Sequence, residues 1–185
     1  MDETDLLVKA RAGDQRAFAE LVTMHRTHVW AVCLNIVGNQ ADAEDAMQDT
    51  LIAAWQNLSK FRGEAKFSTW LHRVAANAAL AVIRKRKAKT DIVDFNDTEH
   101  PILIEDDAPA FDDQLAIRDQ LRMALAEIPE DFRTALVLRE FGDMTYEQIA
   151  EHQGIPVQTV RSRLNRARKQ LSERIRAYEY TEVSD

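Results

Sequence analysis

The local fold of the C-terminal half follows from one stretch, residues 143–164, whose sequence is DMTYEQIAEHQGIPVQTVRSRL. Thr145 is followed three residues later by Gln148, a capping-box spacing that marks the start of a helix. Gly154 can adopt the left-handed conformation that ends this helix in a sharp turn, and Pro156 suits the first turn of the next helix. A short helix, a glycine turn and a longer helix predict a helix-turn-helix, an arrangement that binds DNA.

The helix after the turn has two chemically different faces. Its apolar face is formed, at steps of three and four residues, by Val157, Val160, Leu164, Ala167, Leu171 and Ile175. Gln and Asn can bond adenine in two places, and Arg can do the same with guanine. We therefore assign base edges or nearby phosphates to Gln158, Arg161, Ser162, Asn165 and Arg166, and the DNA backbone or solvent to Arg168, Lys169 and Arg174. The alternative is an ordinary helical hairpin with a solvated basic side.

Helix-period patterns fill most of the remaining chain, and little of it is typical of strands. In the N-terminal half they predict a helix from Asp14 to the break at Gly38, a second helix over residues 42–58, a polar loop, and a third helix from Thr69 to about Lys87 that Ser68 can cap. In the C-terminal half they predict helices over residues 113–127, 129–140, 146–153 and 157–178.

The segment between these halves has a different composition. Residues 91–113 hold nine acids and no base, together with Pro101 and Pro109. Such a segment is typical of an extended linker. The predicted fold class is therefore all-α, with two helical bundle domains, residues 1–90 and 113–185, joined by a flexible acidic linker over residues 91–112.

Charge is segregated along the chain although the formal net charge is −7. Residues 1–90 carry 13 Lys/Arg against 10 Asp/Glu, and basic runs occur at 84–89 and within 161–176. Local basic patches provide the electrostatic footprint for phosphates, whatever the total charge. Because affinity scales with the number of phosphates neutralised, we expect the chain alone to bind DNA weakly.

Several classes of protein are not indicated. The single cysteine excludes an internal disulfide and any cysteine-based zinc site. No glycine-rich phosphate loop, HExxH pattern or nucleophile elbow occurs, so we expect neither an enzyme nor a cofactor or metal. The acidic start carries no secretory signal and no apolar run is long enough to span a bilayer, which predicts a soluble cytoplasmic protein without membrane insertion.

Two sets of motifs resemble those of a known family. IPEDFR at 128–133, LVLRE at 136–140, TYEQIA at 145–150, GIPV at 154–157 and TVRSRL at 159–164 resemble domain 4 of bacterial sigma factors, above all the short extracytoplasmic-function (ECF) class. DAEDAMQDT at 42–50 and FSTWL at 67–71 resemble domain 2 of the same family. The resemblance covers nearly the whole chain, with both motif sets in the family's order.

The resemblance implies a promoter-specificity subunit of RNA polymerase. Domain 2 of the family binds the clamp helices of the largest catalytic subunit and melts the −10 element. Domain 4 binds the flap of the next subunit and reads the −35 element, a role that here falls to the five polar residues assigned above together with Thr159. The expected partners are core RNA polymerase and promoter DNA, and an anti-sigma factor is a candidate partner.

The resemblance also assigns roles in the N-terminal half. A pocket in the loop at residues 60–67 and a row of polar residues on the following helix would bind and melt the −10 element, through Phe61, Arg62, Lys66, Phe67, Arg73, Asn77, Arg84 and Lys87. Polymerase contacts fall to Asp45, Gln48 and Asp49, which share one helix face. We expect Trp55 and Trp70 to be core residues. Three residues depart from the family pattern: Ala76 where Arg is common, Ala81 where Asp is common and Gln158 where Gly is frequent.

Two questions stay open from the sequence. The acidic linker could imitate RNA in a positively charged channel or serve as a solubilising spacer. The chain could also be a stand-alone helix-turn-helix regulator that binds DNA as a dimer, with residues 1–90 as its effector or dimerisation domain, or, more remotely, an interaction scaffold that binds no DNA.

Overall fold

The structure is a computed structural model that describes residues 2–93 and 113–182. These residues form α-helices and a short 3-10 turn, Leu58–Lys60, and the described part contains no strand, which confirms the all-α fold class. The helices are α1 Glu3–Arg11, α2 Gln15–Val37, α3 Gln40–Asn57, α4 Phe67–Val93, α5 Asp113–Ala126, α6 Glu130–Glu140, α7 Tyr146–Gln153 and α8 Val157–Glu182. Most of the acidic linker lies outside the described residues, and α4 extends three residues into the range predicted for it.

The N-terminal half is built around α2 and α4, which pack against each other and against α3. The side chain of Asp14 caps α2 by accepting from the backbone N–H groups of the next turn, and Gly38 ends that helix with a φ of 88°. Fully buried Leu21, Ile36 and Leu71 lie in the core between these helices. The apolar period of α2 therefore marks its buried face, as predicted.

Two features of this half differ from the sequence expectations. Helix α1 was not predicted, although Asp2 caps it and its charges suit the helix dipole, because only Leu6 and Ala10 mark its buried side. Helix α4 begins at Phe67 rather than after a Ser68 cap. The N–H of Trp70 already bonds the carbonyl of Lys66, which places Ser68 inside the first turn.

In the C-terminal half α8 packs against α5, α6 and α7. Leu138, Ile149, Val160 and Leu164 are fully buried where these helices meet. The apolar stripe predicted on α8 is the face that covers this core. The short connections make α6, α7 and α8 neighbours both in sequence and in space.

The two halves are in contact with each other. Helix α2 packs against α5 and α6, and buried residues of both halves belong to one continuous hydrophobic cluster. Leu125 and Ile128, at the junction of α5 and α6, are nearly fully buried in it. The described residues therefore form a closed arrangement in which the predicted domains share an interface.

Candidate nucleic-acid interface

The helix-turn-helix is present as predicted. Thr145 accepts a hydrogen bond from the N–H of Gln148, whose side chain accepts from the N–H of Thr145, so the capping box is complete. Gly154 ends α7 with a φ of 65° and a ψ of 37°, in the left-handed region. These local interactions hold α7 and the start of α8 at a fixed turn, which is what a helix needs to enter the major groove.

The N-terminal half of α8 presents a polar face to solvent. Val160, Leu164 and Ala167 are fully buried on the opposite side. The structure leaves exposed Gln158, Arg161, Ser162, Asn165 and Arg166, and Thr159 is half-buried at the edge of the same face. Five of the six predicted −35 residues are thus brought together on one accessible surface, with spacing set by the helix period.

Most other basic residues of α8 form ion pairs within the C-terminal half. Arg163 bonds the side chains of Asp131, at 3.2 Å, and Gln153, at 3.1 Å, and its guanidinium lies 6.0 Å from the centre of the Phe132 ring. Arg168 pairs with Glu140 at 2.8 Å, and Arg174 pairs with Glu127. These cations connect α8 to α6, to α7 and to the turn after α5, so they differ from the predicted −35 residues in having acidic or amide partners.

A buried arginine supports this scaffold. The guanidinium of Arg133 donates to the carbonyl oxygens of Leu125 and Ala126 at 3.4 and 2.9 Å, the last carbonyls of α5. Burial lowers the pKa of Arg133 from its usual value, while nearby Glu130 opposes the shift. A cation at the carbonyl end of a helix is favourable, so Arg133 fixes the angle between α5 and α6.

In the N-terminal half the loop before α4 is anchored by an aromatic cluster. The ring centres of Phe61 and Phe67 lie 6.0 Å apart, and both contact Trp70, at 5.3 and 5.6 Å. Phe61 and Phe67 are 6% and 3% exposed, so neither ring lines an open pocket as the sequence suggested. Both rings are covered because they close the apolar end of the bundle, and their DNA-binding assignment stays a prediction that requires the loop to open.

The loop between these two rings is accessible. Gly63 adopts a φ of 76°, which lets the chain reverse there. Arg62 and Lys66 are exposed on either side of it, and Arg62 lies 3.8 Å from Glu64 in a solvent-facing ion pair. The loop therefore offers two cations on an anchored support, whereas the aromatic groups predicted beside them point inward.

A groove runs between α3 and α4, next to this loop. It has a volume of about 620 Å³, and its walls combine apolar and polar side chains. The lining includes Ile52, Ala53, Trp70, Val74 and Ala78, with Asp49, Lys60 and Asn77 among the polar residues. Ile52 is 56% exposed, which is unusual for so large an apolar side chain. Sequence reasoning missed the contribution of Ile52, and it favoured a core role for Trp70 over a stacking role.

The four residues predicted to form a DNA-contacting row on α4 differ in their contacts. Asn77 and Arg84 are exposed. Arg73 pairs with Glu151 of α7, and the Nζ of Lys87 lies 2.9 Å from Glu130 of α6. The Arg73 contact is also the main reason why the pKa of Glu151 falls below its usual range. Two of the four row residues are thus held by carboxylates from the other half of the chain.

The predicted polymerase-binding residues lie on α3. Asp45 and Gln48 are exposed, whereas Asp49 is half-buried and lies 3.7 Å from the Nζ of Lys85 on α4. Trp55, on the same helix, is half-buried with its ring centre 5.1 Å from that of Phe18. The three predicted contacts therefore separate into an accessible pair and one carboxylate that also ties α3 to α4.

The cysteine of this chain lies in the core. Burial raises the pKa of the Cys33 thiol to about 11, so the thiol stays protonated at neutral pH. Within residues 2–93 and 113–182, no group of histidine, cysteine and acidic side chains has the arrangement of a metal site.

No helix in the described ranges is both long and apolar enough to cross a lipid bilayer.

Comparison with known proteins assigns the chain to a family. The family model for Sigma-70 region 2 matches residues 21–89, and that for Sigma-70, region 4 matches residues 118–171. RNA polymerase sigma-H factor of Pseudomonas aeruginosa is 34% identical over 91% of both chains. ECF RNA polymerase sigma factor SigW of Bacillus subtilis is 30% identical over 91% of this chain and 94% of its own.

Two solved structures share the fold. CnrH in complex with the cytosolic domain of CnrY matches 93% of this chain and 96% of its own, with a TM-score of 0.65 and 27% identity. The sigma factor RpoE in complex with the anti-sigma factor NepR from Bartonella quintana matches 86% of this chain and 96% of its own, with a TM-score of 0.69 and 25% identity.

The chain belongs to the ECF sigma factors of the sigma-70 family, which bind RNA polymerase and direct it to promoters. Sigma factors are transcription initiation factors and not enzymes. This membership does not favour the stand-alone regulator that the sequence had left open.

Proposed function

We propose that the two halves of this sigma factor contact the two promoter elements through the surfaces described above. The start of α8 reads the −35 element in the major groove through Gln158, Thr159, Arg161, Ser162, Asn165 and Arg166. The single observation that carries this assignment is the exposure of five of these side chains on the face opposite buried Val160 and Leu164. Their hydrogen-bonding groups suit base edges and phosphates.

The −10 element is contacted by the N-terminal half. Removing a base from the stack costs a few kcal/mol, which stacking and hydrogen bonds in a protein pocket must offset. The groove between α3 and α4 supports such a role because Trp70 and Asn77 line it and Lys60 lies at its rim. Its volume, about 620 Å³, falls in the range of small-molecule sites. Arg62, Lys66, Arg73, Arg84 and Lys87 supply cations for the adjoining phosphates, and Phe61 and Phe67 join them if the loop opens.

The polymerase contact is assigned to α3. Asp45 and Gln48 are exposed one helical turn apart and form an accessible polar surface for the clamp helices, with Asp49 beside them. In this proposal the C-terminal half binds the flap, and the chain acts in the cytoplasm, where the polymerase is. It catalyses no reaction of its own and adds only specificity to the polymerase.

An anti-sigma factor is proposed as a further partner. The relative RpoE was solved in complex with the anti-sigma factor NepR, and it matches 86% of this chain. A protein that holds the two halves of this chain would keep them from the polymerase. Co-purification of this chain with a candidate partner, and loss of transcription when that partner is added, would test the idea.

Run-off transcription with purified core polymerase tests the main proposal. We expect a specific transcript only when the chain is added, and loss of that transcript when either promoter element is scrambled. The matched control is the chain alone with the same DNA at physiological salt, where we expect weak binding because the net charge is −7. Tight binding by a dimer of the chain without polymerase, with no transcript, would instead establish the stand-alone regulator.

A further inference from the structure

Three arginines lie in the part of α8 that is assigned to the −35 element, and one of them differs in its surroundings. Arg161 and Arg166 are exposed, whereas the side chain of Arg163 is 19% exposed. Its neighbours about one turn away on either side, Val160 and Ala167, are fully buried. Arg163 therefore lies at the edge of the buried face of α8 and not on the face proposed to enter the major groove.

The guanidinium of Arg163 connects three helices. One of its Nη atoms lies 3.2 Å from the carboxylate of Asp131, in the first turn of α6, and the other donates to the side-chain oxygen of Gln153 at 3.1 Å. The side-chain amide of Gln153 donates in turn to the backbone carbonyl of Asp131 at 2.8 Å. The guanidinium also lies 6.0 Å from the centre of the Phe132 ring. We call this closed set of contacts among Arg163, Asp131 and Gln153 the arginine brace.

The arginine brace spans the turn of the helix-turn-helix. Gln153 is the last residue of α7, and Arg163 lies in the second turn of α8, ten residues later. The turn between them contains Gly154, and glycine has more backbone freedom than any other residue. A contact that joins the two sides of this turn therefore limits the angle between α7 and α8. Binding groups must be held to within about 0.5 Å and 10–20° of their productive geometry, which is what such supporting contacts provide.

The chemistry of the arginine brace requires arginine and not only a positive charge. A guanidinium is planar and presents five donors in a fixed fork, so it can bond a carboxylate and an amide oxygen at the same time while it lies over a ring. The ammonium group of a lysine is a compact point charge on a flexible stem and cannot keep this arrangement. Because the carboxylate of Asp131 already opposes the charge of Arg163, a phosphate would have to compete with it.

We propose that Arg163 is a positioning residue for −35 recognition: through the arginine brace it fixes the angle of α8, and it makes no contact with DNA itself. This inference rests on the proposed role of α8. The rival interpretation is that Arg163 leaves the brace in the promoter complex and binds a phosphate.

The first test separates position from charge, using core polymerase with the full chain on a cognate promoter. Arg163→Lys keeps the charge but loses the fork, and we expect it to lower promoter affinity by about tenfold, the equivalent of one hydrogen bond to a charged group. Arg163→Ala should lower the affinity at least as much without changing the slope of log affinity against log salt concentration, because the number of neutralised phosphates stays the same. Near wild-type affinity for Arg163→Lys, or a slope that falls by about 0.9 in Arg163→Ala, would indicate a phosphate contact and overturn the proposal.

The matched control is Arg122→Lys. The side chain of Arg122 is 26% exposed and lies 3.1 Å from the carboxylate of Asp119, but both residues belong to α5, so their ion pair connects no two helices. Promoter affinity should stay at the wild-type value. A loss equal to that of Arg163→Lys would mean that any weakened ion pair in this half has the same effect, and the proposal would be wrong.

The second test measures base preference. A side chain that touches one base relaxes specificity at that position alone, whereas a change in the angle of α8 moves every side chain on its exposed face. Single substitutions along the −35 element should therefore cost less affinity at several positions in Arg163→Lys than in the wild type. A preference that is unchanged, or relaxed at one position only, would refute a positioning role.

The third test removes the arginine brace from its other end. Gln153→Ala leaves Arg163 in place, and the double variant Gln153→Ala with Arg163→Ala should bind the promoter no more weakly than Arg163→Ala alone, since the two residues act as a unit. Additive losses would show that they act separately and would refute the brace. Chemical denaturation establishes that each variant is folded. If Arg163→Ala is not, Gln153→Ala decides the question, and an unchanged base preference in that variant would refute the proposal.

The two proposals fail differently. If the wild-type chain with core polymerase shows no base preference in the −35 element, the proposed function fails. If the wild type has that preference and Arg163→Lys retains it unchanged, only the positioning role is wrong.

Discussion

The two candidate DNA surfaces, on α8 and on α4, differ in which half of the chain supplies the acidic partners of their basic residues. On α8 the side chains assigned to the −35 element are mostly exposed, and the neighbouring Arg163 and Arg168 form ion pairs with carboxylates of the same half. On α4, Arg73 and Lys87 are held by acids of the other half. A surface held only by its own domain is available whenever that domain folds. A surface held across an interface is available only when the halves separate.

The largest expected effect concerns the exposed face of α8 that is assigned to the −35 element. Arg161→Ala with Arg166→Ala should lower transcription from the cognate promoter by about 30-fold or more, since each of the two lost base contacts contributes about 1–3 kcal/mol of discrimination. The measurement is run-off transcription with core polymerase at subsaturating chain. The control is Arg176→Ala, an exposed arginine on the distal part of α8. Equal losses in variant and control would mean that the effect is general charge and not promoter contact.

The second prediction concerns the groove between α3 and α4. Asn77→Ala should reduce open-complex formation on duplex promoter DNA by about tenfold, because a flipped base would lose one hydrogen bond of about 1.5 kcal/mol. Permanganate footprinting of the −10 region measures the opening. On a template with a pre-melted −10 bubble the defect should shrink, since the cost of separating the strands has been removed. A defect of the same size on both templates would place Asn77 outside the melting step.

The third prediction tests how far the helix-turn-helix depends on its own turn. Gly154→Ala places a side chain at a φ of 65°, where L-residues are strained by about 1–2 kcal/mol, although no atom lies within 4 Å of the added Cβ. Chemical denaturation should show the unfolding free energy falling by that amount. Thr145→Ala removes the cap and should cost about 1 kcal/mol. If Gly154→Ala is neutral, the turn adapts and does not fix the angle of α8.

The smallest expected effect is a dependence of folding stability on pH. Burial lowers the pKa of His72. The nearby His28 and His25 of α2 lower the pKa of His72 further, whereas the Gly142 carbonyl and Asp143 raise it. Two residues of α7 belong to the same surroundings. Burial and the charge of Arg73 lower the pKa of His152, and Glu151 forms an ion pair with Arg73. The folded chain thus favours neutral His72. The stabilisation is complete above about pH 6.5 and decreases as the pH falls below that value, because the unfolded chain then binds a proton that the folded chain disfavours.

Chemical denaturation between pH 8 and pH 5.5 measures this dependence through the free energy of unfolding, which should decrease at the acid end. His72→Gln keeps an N–H donor for the Gly142 carbonyl but does not titrate, so its profile should be flatter. Equal profiles for the wild type and His72→Gln would show that protonation of His72 is not linked to folding.

Much of the fold and of the −35 surface could be predicted from the sequence. The cap at Thr145, the turn at Gly154 and the apolar stripe of α8 depend on residues that are close in sequence, so local rules suffice. The N-terminal contacts were predicted less well. Phe61 and Phe67 were assigned to an open pocket because aromatic rings suit stacking, but the packing of the bundle end buries them. Nothing in the loop sequence tells a stacking ring from a core ring.

The sequence by itself determined the helices other than α1, the face of each that is buried and the chemistry of the face that is not. Only the tertiary structure decided which of those faces are covered. Arg73 and Glu151 are 78 residues apart, and Lys87 and Glu130 are 43 apart. Periodicity shows on which side of a helix a charge lies, whereas its partner depends on how the helices pack, and that arrangement is set by burial summed over both halves of the chain.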